Sequence, residues 1–291
     1  MIDYDKVRQF ALPDTRHDYT VRDTLLYALG VGFGADPCDP LELPYVYEKN
    51  LRSVPTMAVV LASPGAWMRE PGLGIDFIRM VHGEQGLIVH APLPVHGTVV
   101  GQSRITHIVD KGAGKGATIQ TERILRDAGS GQLLATVQTQ IFCRADGGFA
   151  TPSQPGDQPP EPIPPVPQGE PDLQIDLATR PDAALLYRLS GDYNPLHADP
   201  EVAARAGFAR PILHGLATYG IALRALTRSV LAGDAGRLRS LRCRFSGPVI
   251  PGDTLRTRIW RRGDKLHLQV QAIERDITVI SAGLATVGDV P

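Results

Sequence analysis

The stretch TPSQPGDQPPEPIPPVPQGEPD, Thr151–Asp172, constrains the chain more than any other. Nine of its 22 residues are proline. Proline fixes φ and lacks a backbone donor, so such a segment enters neither a helix interior nor a central strand. It has no apolar periodicity and reads as an extended linker, which at about 3.1 Å per residue reaches tens of ångströms. It divides the 291 residues into an N-terminal part, 1–150, and a C-terminal part, 173–291. Each is of ordinary domain size, and a 43% hydrophobic composition supplies ordinary cores.

The two parts read as copies. With Val21 set over Pro181 in one register, Leu25, Leu26, Tyr27, Leu29, Asp39 and Pro40 fall on Leu185, Leu186, Tyr187, Leu189, Asp199 and Pro200. Further on, PLPVHGT from Pro92 parallels PVIPGDT from Pro248. Alternating runs follow in both: TIQTERILRD and LLATVQTQIF, then LHLQVQAIERD and TVISAGLATV. Alternation of this kind predicts antiparallel strands with one buried face. The C-terminal copy also holds HGLATYGIALRALTRSVLAG, His214 to Gly233, with apolar residues at helical spacing and a glycine stop. The matching place in the first copy, SVPTMAVVLASPG, has room for a short helix only. An α+β fold follows, with a sheet wrapped round a helix in each copy and the first helix shortened.

Charge and composition exclude several classes. A formal net charge of −1 argues against a general nucleic-acid binder. The longest apolar runs, such as MAVVLA, are too short to span a bilayer. The N-terminus MIDYDKVRQF lacks the pattern of a signal peptide, and the C-terminal VGDVP is no peroxisomal address. Cys38, Cys143 and Cys243 are far apart and odd in number, so they read as buried small hydrophobes in a reducing cytoplasm.

The candidate chemistry lies in LYRLSGDYNPLHADP, Leu186 to Pro200. Asp192 stands five residues before His197, with Asn194 and Pro195 between them. Pro195 stiffens the loop and biases Asn194 away from helix. A carboxylate and an imidazole on a pre-set loop can share one water, since imidazole gives or takes a proton near neutral pH. Asn194 would hold the loop or the water. The same residues also fit an Asp-initiated turn before an Asp-capped helix, DPEVAARAG. In the duplicated register Asp192 faces Gly32 and His197 faces Pro37, so only the second copy carries the pair. Gly215 opens the buried helix, where unpartnered amides at the positive dipole end suit an oxygen gaining negative charge. A glycine needed only for helix packing is the alternative. Asp192, His197 and His214 show no metal-ligand spacing, and GAGKGA lacks the full phosphate-loop pattern.

YRLSGDYNPLHADPEVAARAGFARPILHGLATYG resembles the hydratase-2 motif of the MaoC-like (R)-specific enoyl-CoA hydratases. The chain is similar, from about Asp23 to Val287, to the hydratase-2 region of peroxisomal multifunctional enzyme type 2; HGEQ, VDKGAGKGA and RCRFSGPVIPGDTL carry the likeness elsewhere. The resemblance implies a double hot-dog fold, with acyl-chain accommodation in 1–150, a linker at 151–172 and catalysis in 173–291. It implies reversible syn hydration of a trans-2-enoyl-CoA to the (3R)-3-hydroxyacyl-CoA, with Asp192, His197, Asn194 and Gly215 catalytic. His82, Gly83, Lys111 and Phe245 match acyl-CoA contacts, with Tyr193, Pro195 and Leu196 beside the dyad. Tyr193 stands where relatives carry tryptophan. Arg242 and Arg244 read as a solvated strand face, with Arg244 in reach of a CoA phosphate. No cofactor and no metal are implied; the partners are an acyl-CoA thioester and, in a dimer, a second copy, with neither nucleic acid nor membrane. The alternatives are a dehydratase of carrier-protein thioesters, a hot-dog thioesterase, which would place its acid on the central helix, and a non-catalytic acyl-CoA-binding protein.

Overall fold

In the computed structural model, which describes residues 1–288, the alternating runs form strands. The last three residues of VGDVP lie outside the described residues, and with them the reading of that terminus as an address. The first copy contributes β1 (Thr15–Tyr19), β2 (Met80–Val89), β3 (Gly97–Asp110), β4 (Ala117–Asp127) and β5 (Leu133–Cys143). The second contributes β6 (Leu173–Ala178), β7 (Leu238–Phe245), β8 (Thr254–Arg262), β9 (Lys265–Ala272) and β10 (Ile277–Val287). They form one ten-stranded sheet of order β1-β3-β4-β5-β2-β7-β10-β9-β8-β6. The order reads the same from either end once each strand is exchanged for its counterpart. The two copies join where β2 pairs antiparallel with β7, Glu84 opposite Arg244 and Leu87 opposite Leu241. HGEQ is part of β2, with a bulge between His82 and Glu84.

Among the described residues six α-helices accompany the sheet: α1 (Tyr4–Gln9), α2 (Val21–Gly30), α3 (Leu43–Val46), α4 (Ala183–Tyr187), α5 (Pro200–Arg205) and α6 (Gly215–Ser229). The α6 helix is shorter than the run His214 to Gly233: His214 is its N-cap, and Gly233, at φ +83°, turns the chain after its end. Every residue from Ala217 to Thr227 is buried, as expected of a central helix enclosed on all sides. Gly220 lets α2 approach it, since a Cβ there would lie 2.4 Å from Val31 Cγ1. At the corresponding place the first copy has a five-residue 3-10 turn, Pro55–Val59, against the fifteen residues of α6. This is the double hot-dog arrangement with its N-terminal helix cut short. The aligned tyrosines Tyr27 and Tyr187 face each other between the copies, ring centres 6.0 Å apart.

Among the described residues, an ion pair is buried between the copies. Arg224, in the middle of α6, donates to Glu42 through Nε at 2.5 Å and Nη2 at 3.0 Å. Glu42 also accepts from the Gly34 amide at 2.9 Å and meets Arg228 at 3.0 Å. Because three hydrogen bonds and a second guanidinium surround the carboxylate, the buried charges are matched, and the loop after α2 is pinned to α6.

The proline-rich segment is extended but not free. Its Asp157 accepts from Tyr4 and the Ile108 amide and pairs with Arg8. Further along, the Glu161 carbonyl accepts from Arg242, the Gly169 carbonyl from Trp260 and the Asp172 carboxylate from the Arg261 amide. It thus crosses from β3 to β8, seven inter-strand steps in the sheet. At roughly 4.8 Å per step that is about 34 Å, a span suited to an extended proline-rich strap. Cys143 and Cys243 are buried as expected; Cys38 is exposed, in a turn at the surface where no core exists to hold it.

Replacing one partner of the buried pair should leave the other uncompensated. Glu42→Gln is expected to lower the unfolding free energy by about 3–5 kcal/mol in urea titration, whereas Glu42→Leu combined with Arg224→Met recovers most of that loss.

Candidate active site

The loop carrying Asp192 is built from short-range hydrogen bonds. Gly191, at φ +115°, ends the 3-10 turn Arg188–Ser190. Asp192 Oδ1 then accepts from the Asn194 amide at 3.1 Å, and Asn194 Oδ1 accepts from the Leu196 amide at 3.1 Å. Pro195 occupies the first position of the following turn, Pro195–His197, where its missing N–H costs nothing. Asp199 caps α5 through the Glu201 amide at 2.8 Å. The side-chain oxygen of Asn194 is thereby committed to holding the loop.

His197 is buried at the end of this turn. Its Nδ1 lies 2.8 Å from the Ile212 carbonyl, which only accepts, so Nδ1 carries the proton and the neutral ring keeps a lone pair on Nε2. Burial pushes the imidazole pKa down, against the opposing pull of the Ile212 carbonyl and Asp192. His214 stacks on His197 with ring centres 3.7 Å apart and donates from Nε2 to the Asp192 carbonyl at 3.1 Å. Burial first, and the neighbouring His197 second, push its pKa to about 4. Asp192, His197 and His214 each bring one side-chain ligand atom within 4.8 Å of the others. Asp192, unlike the two histidines, is exposed, so the group opens outward. The three fit a metal ion poorly, because the two rings stack on each other and point their in-plane lone pairs side by side.

His214 is the residue before Gly215, so the stack sits at the N-terminus of α6. The Gly215 amide, as the first of the helix, has no intrahelical acceptor. A Cβ on Gly215 would lie 3.7 Å from the Phe245 ring. Phe245 in turn meets His82 of β2 edge-on at 5.0 Å. The His82 pKa is pushed down to about 4 by burial, with Nε2 donating to the Glu84 carbonyl at 3.1 Å and the Asp192 charge opposing the shift.

A cavity of about 360 Å³ shares Phe245 with this group and is lined also by Gly83, Glu84, Lys111, Phe142, Glu161 and Arg244; Asp192, His197, Gly215 and His82 do not line it. The strap closes one side of it with Pro159–Pro162. Lys111 holds its ammonium 4.8 Å above the Phe142 ring. Arg244 is not simply solvated: it pairs with Glu84 at 2.8 Å across the β2–β7 junction. Tyr193 is 59% exposed with Arg188 stacked on it at 5.0 Å, and neither it, Pro195 nor Leu196 lines this cavity. His214 enters the group through its place directly before the helix-opening glycine, a position the sequence shows.

The first copy supplies the contrast. Gly32 and Asp192, Pro37 and His197, Val54 and His214, and Pro55 and Gly215 are each 160 residues apart, and both last pairs occupy the N-cap and first position of their helices. The acid, both imidazoles and the free amide are all missing there, the last because proline has none. A Cβ at Gly32 would sit 2.9 Å from the Arg224 guanidinium, so the place of the acid is filled.

Comparison with known proteins gives matches in both copies. Residues 17–145 match the MFE-2 hydratase 2 N-terminal domain, and residues 163–282 match the MaoC like domain. The chain is 39% identical to enoyl-CoA hydratase 2, peroxisomal, of Arabidopsis thaliana over 93% of its own length and 91% of that protein. It is 38% identical to enoyl-CoA hydratase ChsH3 of Mycobacterium tuberculosis, covering 98% and 99% of the two chains. The structure of a MaoC-like dehydratase from Phytophthora capsici superposes with a TM-score of 0.85 at 32% identity, over 99% of each chain. With likeness at this level along both copies, the chain belongs to the MaoC-like hydratase 2 family.

Proposed function

We propose that the chain is an (R)-specific 2-enoyl-CoA hydratase, adding water reversibly and syn to a trans-2-enoyl-CoA to give the (3R)-3-hydroxyacyl-CoA. The observation that carries this reading is the convergence of Asp192 and His197 within 4.8 Å beside the amide end of α6. The Asp192 carboxylate and the Nε2 lone pair of neutral His197 are both acceptors. Together they hold the two hydrogens of one water and leave its oxygen facing C3 of the substrate. That carbon is electrophilic because the thioester carbonyl draws electrons through the double bond. As the oxygen attacks C3, one water hydrogen passes through the dyad to C2, so both added atoms come from the same water and the dyad is restored. The charge gathering on the thioester oxygen is met by the Gly215 amide at the positive end of α6.

The cavity beside Lys111, Phe142 and Arg244 supports a place for the CoA moiety, whose phosphates suit the two cations. The first copy supports a place for the acyl tail. Its shortened helix borders an apolar cavity of about 430 Å³ lined in part by Pro55, Ala58, Val89, Ala91, Leu93 and Leu134. In this reading 1–150 gives up catalysis and accepts the chain, and the strap joins it to the catalytic part. The α6 helix, Gly215–Ser229, has no Asp or Glu, so a thioesterase acid on the central helix is lacking. Three unpaired cysteines suit a reducing compartment and support the cytoplasm, and the family reading supports a dimer of chains.

Incubation with enoyl-CoAs, followed by enoyl absorbance, free-thiol release and chiral analysis of the product, tests the reaction; thiol release without hydration would replace it by thioester cleavage. Asp192→Asn is expected to lower kcat by about 10²–10⁴-fold with the fold intact, measured against the circular dichroism of the parent. Gly215→Pro removes one N–H from a first helical position that tolerates proline, and His214 at ψ 137° already has the backbone that precedes proline. It should cost about 10²–10³-fold in kcat. Since protonated His197 loses its acceptor, kcat should hold through pH 6.5, the ordinary imidazole value, and decline only below it, because burial has lowered that pKa. Substrates of medium and long chain should turn over, and Ala91→Phe should cut kcat/KM about tenfold for these while sparing the four-carbon substrate.

A further inference from the structure

We infer that His214 is a positioning residue for the dyad, setting both where Asp192 stands and which face of His197 is open. The inference rests on the dyad reading above. His214 is 1% exposed and touches both halves of the pair: its ring lies flat on His197 at 3.7 Å, and its Nε2–H donates to the Asp192 carbonyl at 3.1 Å. The second contact joins the catalytic loop to the N-cap of α6, 22 residues later in the chain. A carbonyl acceptor fixes the tautomer, leaving Nδ1 as a lone pair that is buried with no partner among the described residues. Protonation there would bury an unmatched N–H and set a cation against His197, so His214 works as a neutral plate. The Tyr187 ring also packs against it, tilted at 5.0 Å. The charged groups acting on the two histidines are Asp192 and Arg188. The first copy has Val54 at the matching N-cap, and it has no dyad to place.

The role is separable from general stability. In His214→Ala, water reaches the exposed face of His197, the Asp192 carbonyl loses its donor, and the dyad loosens. Misplacement by an ångström costs on the order of 10²-fold. The expected result is a fall in kcat of about that size, KM changed by less than about threefold, and an acid limb of the kcat profile moved to higher pH as His197 regains solvation. His214→Gln, whose terminal amide still donates to the Asp192 carbonyl, should recover part of kcat and keep the displaced acid limb. Both are measured with enoyl-CoA on protein whose melting temperature is recorded, and the Gln variant decides the matter if the Ala variant fails to fold. A folded variant with kcat within twofold of the parent, or with an unmoved acid limb, overturns the inference. Asp192→Asn assayed in parallel separates the levels: full turnover there defeats the dyad itself, whereas an inactive Asp192→Asn beside an unaffected His214→Ala defeats only the positioning role.

Discussion

The ladder between β2 and β7 is the contact on which the molecule depends. It makes two five-stranded sheets into one and brings a first-copy segment to a second-copy site. His82 reaches Phe245, and Phe245 reaches Gly215, because the registers of β2 and β7 are locked by pairs such as Glu84 with Arg244. A slip of one residue would turn every side chain of one strand to the opposite face and move both the core and the cavity wall. The strap and the Glu42–Arg224 pair act in the same sense, the first along the polar face of the sheet and the second inside it.

The asymmetry between the two copies has a physical basis. The helical N-terminus is a useful anion site only if its first amide is present, and Pro55 removes it. With the acid replaced by Gly32, Arg224 from the other copy can lie where a carboxylate would stand, and the long helix of one copy becomes anchored in the loop of the other. The first copy thus has a structural clamp and an apolar cavity where the second has a polar centre. Neither change disturbs the strands, whose order is symmetric from edge to edge.

Much of this was legible in the sequence because it is local or periodic. The strands follow from alternation, α6 from its apolar spacing and small residues, and the stiff loop from Asp192, Asn194 and Pro195 within four positions. The register that set Tyr27 over Tyr187 predicted two residues that meet in space. What escaped was long-range. Glu42 and Arg224 are 182 residues apart, and nothing local distinguishes that arginine from a surface one. HGEQ carries a glycine that suits a turn equally well, and only its pairing with two neighbours makes it a strand with a bulge. The linker's proline content announced an extended chain without saying that it would lie on the sheet. Its contacts come from single side chains such as Arg242 and Trp260, scattered over distant strands. His214 was visible as a histidine before a glycine, but its stack on His197 requires the fold.

The covalent continuity of the ten-stranded sheet has a consequence for how the centre responds to dilution. In a site shared by two separate chains, the fraction assembled falls with protein concentration. Here the segment bearing His82 is tethered to the segment bearing Asp192 by the same polypeptide, so their encounter is governed by an effective concentration that the solution cannot change. The group of side chains they carry is therefore as complete in a dilute solution as in a concentrated one.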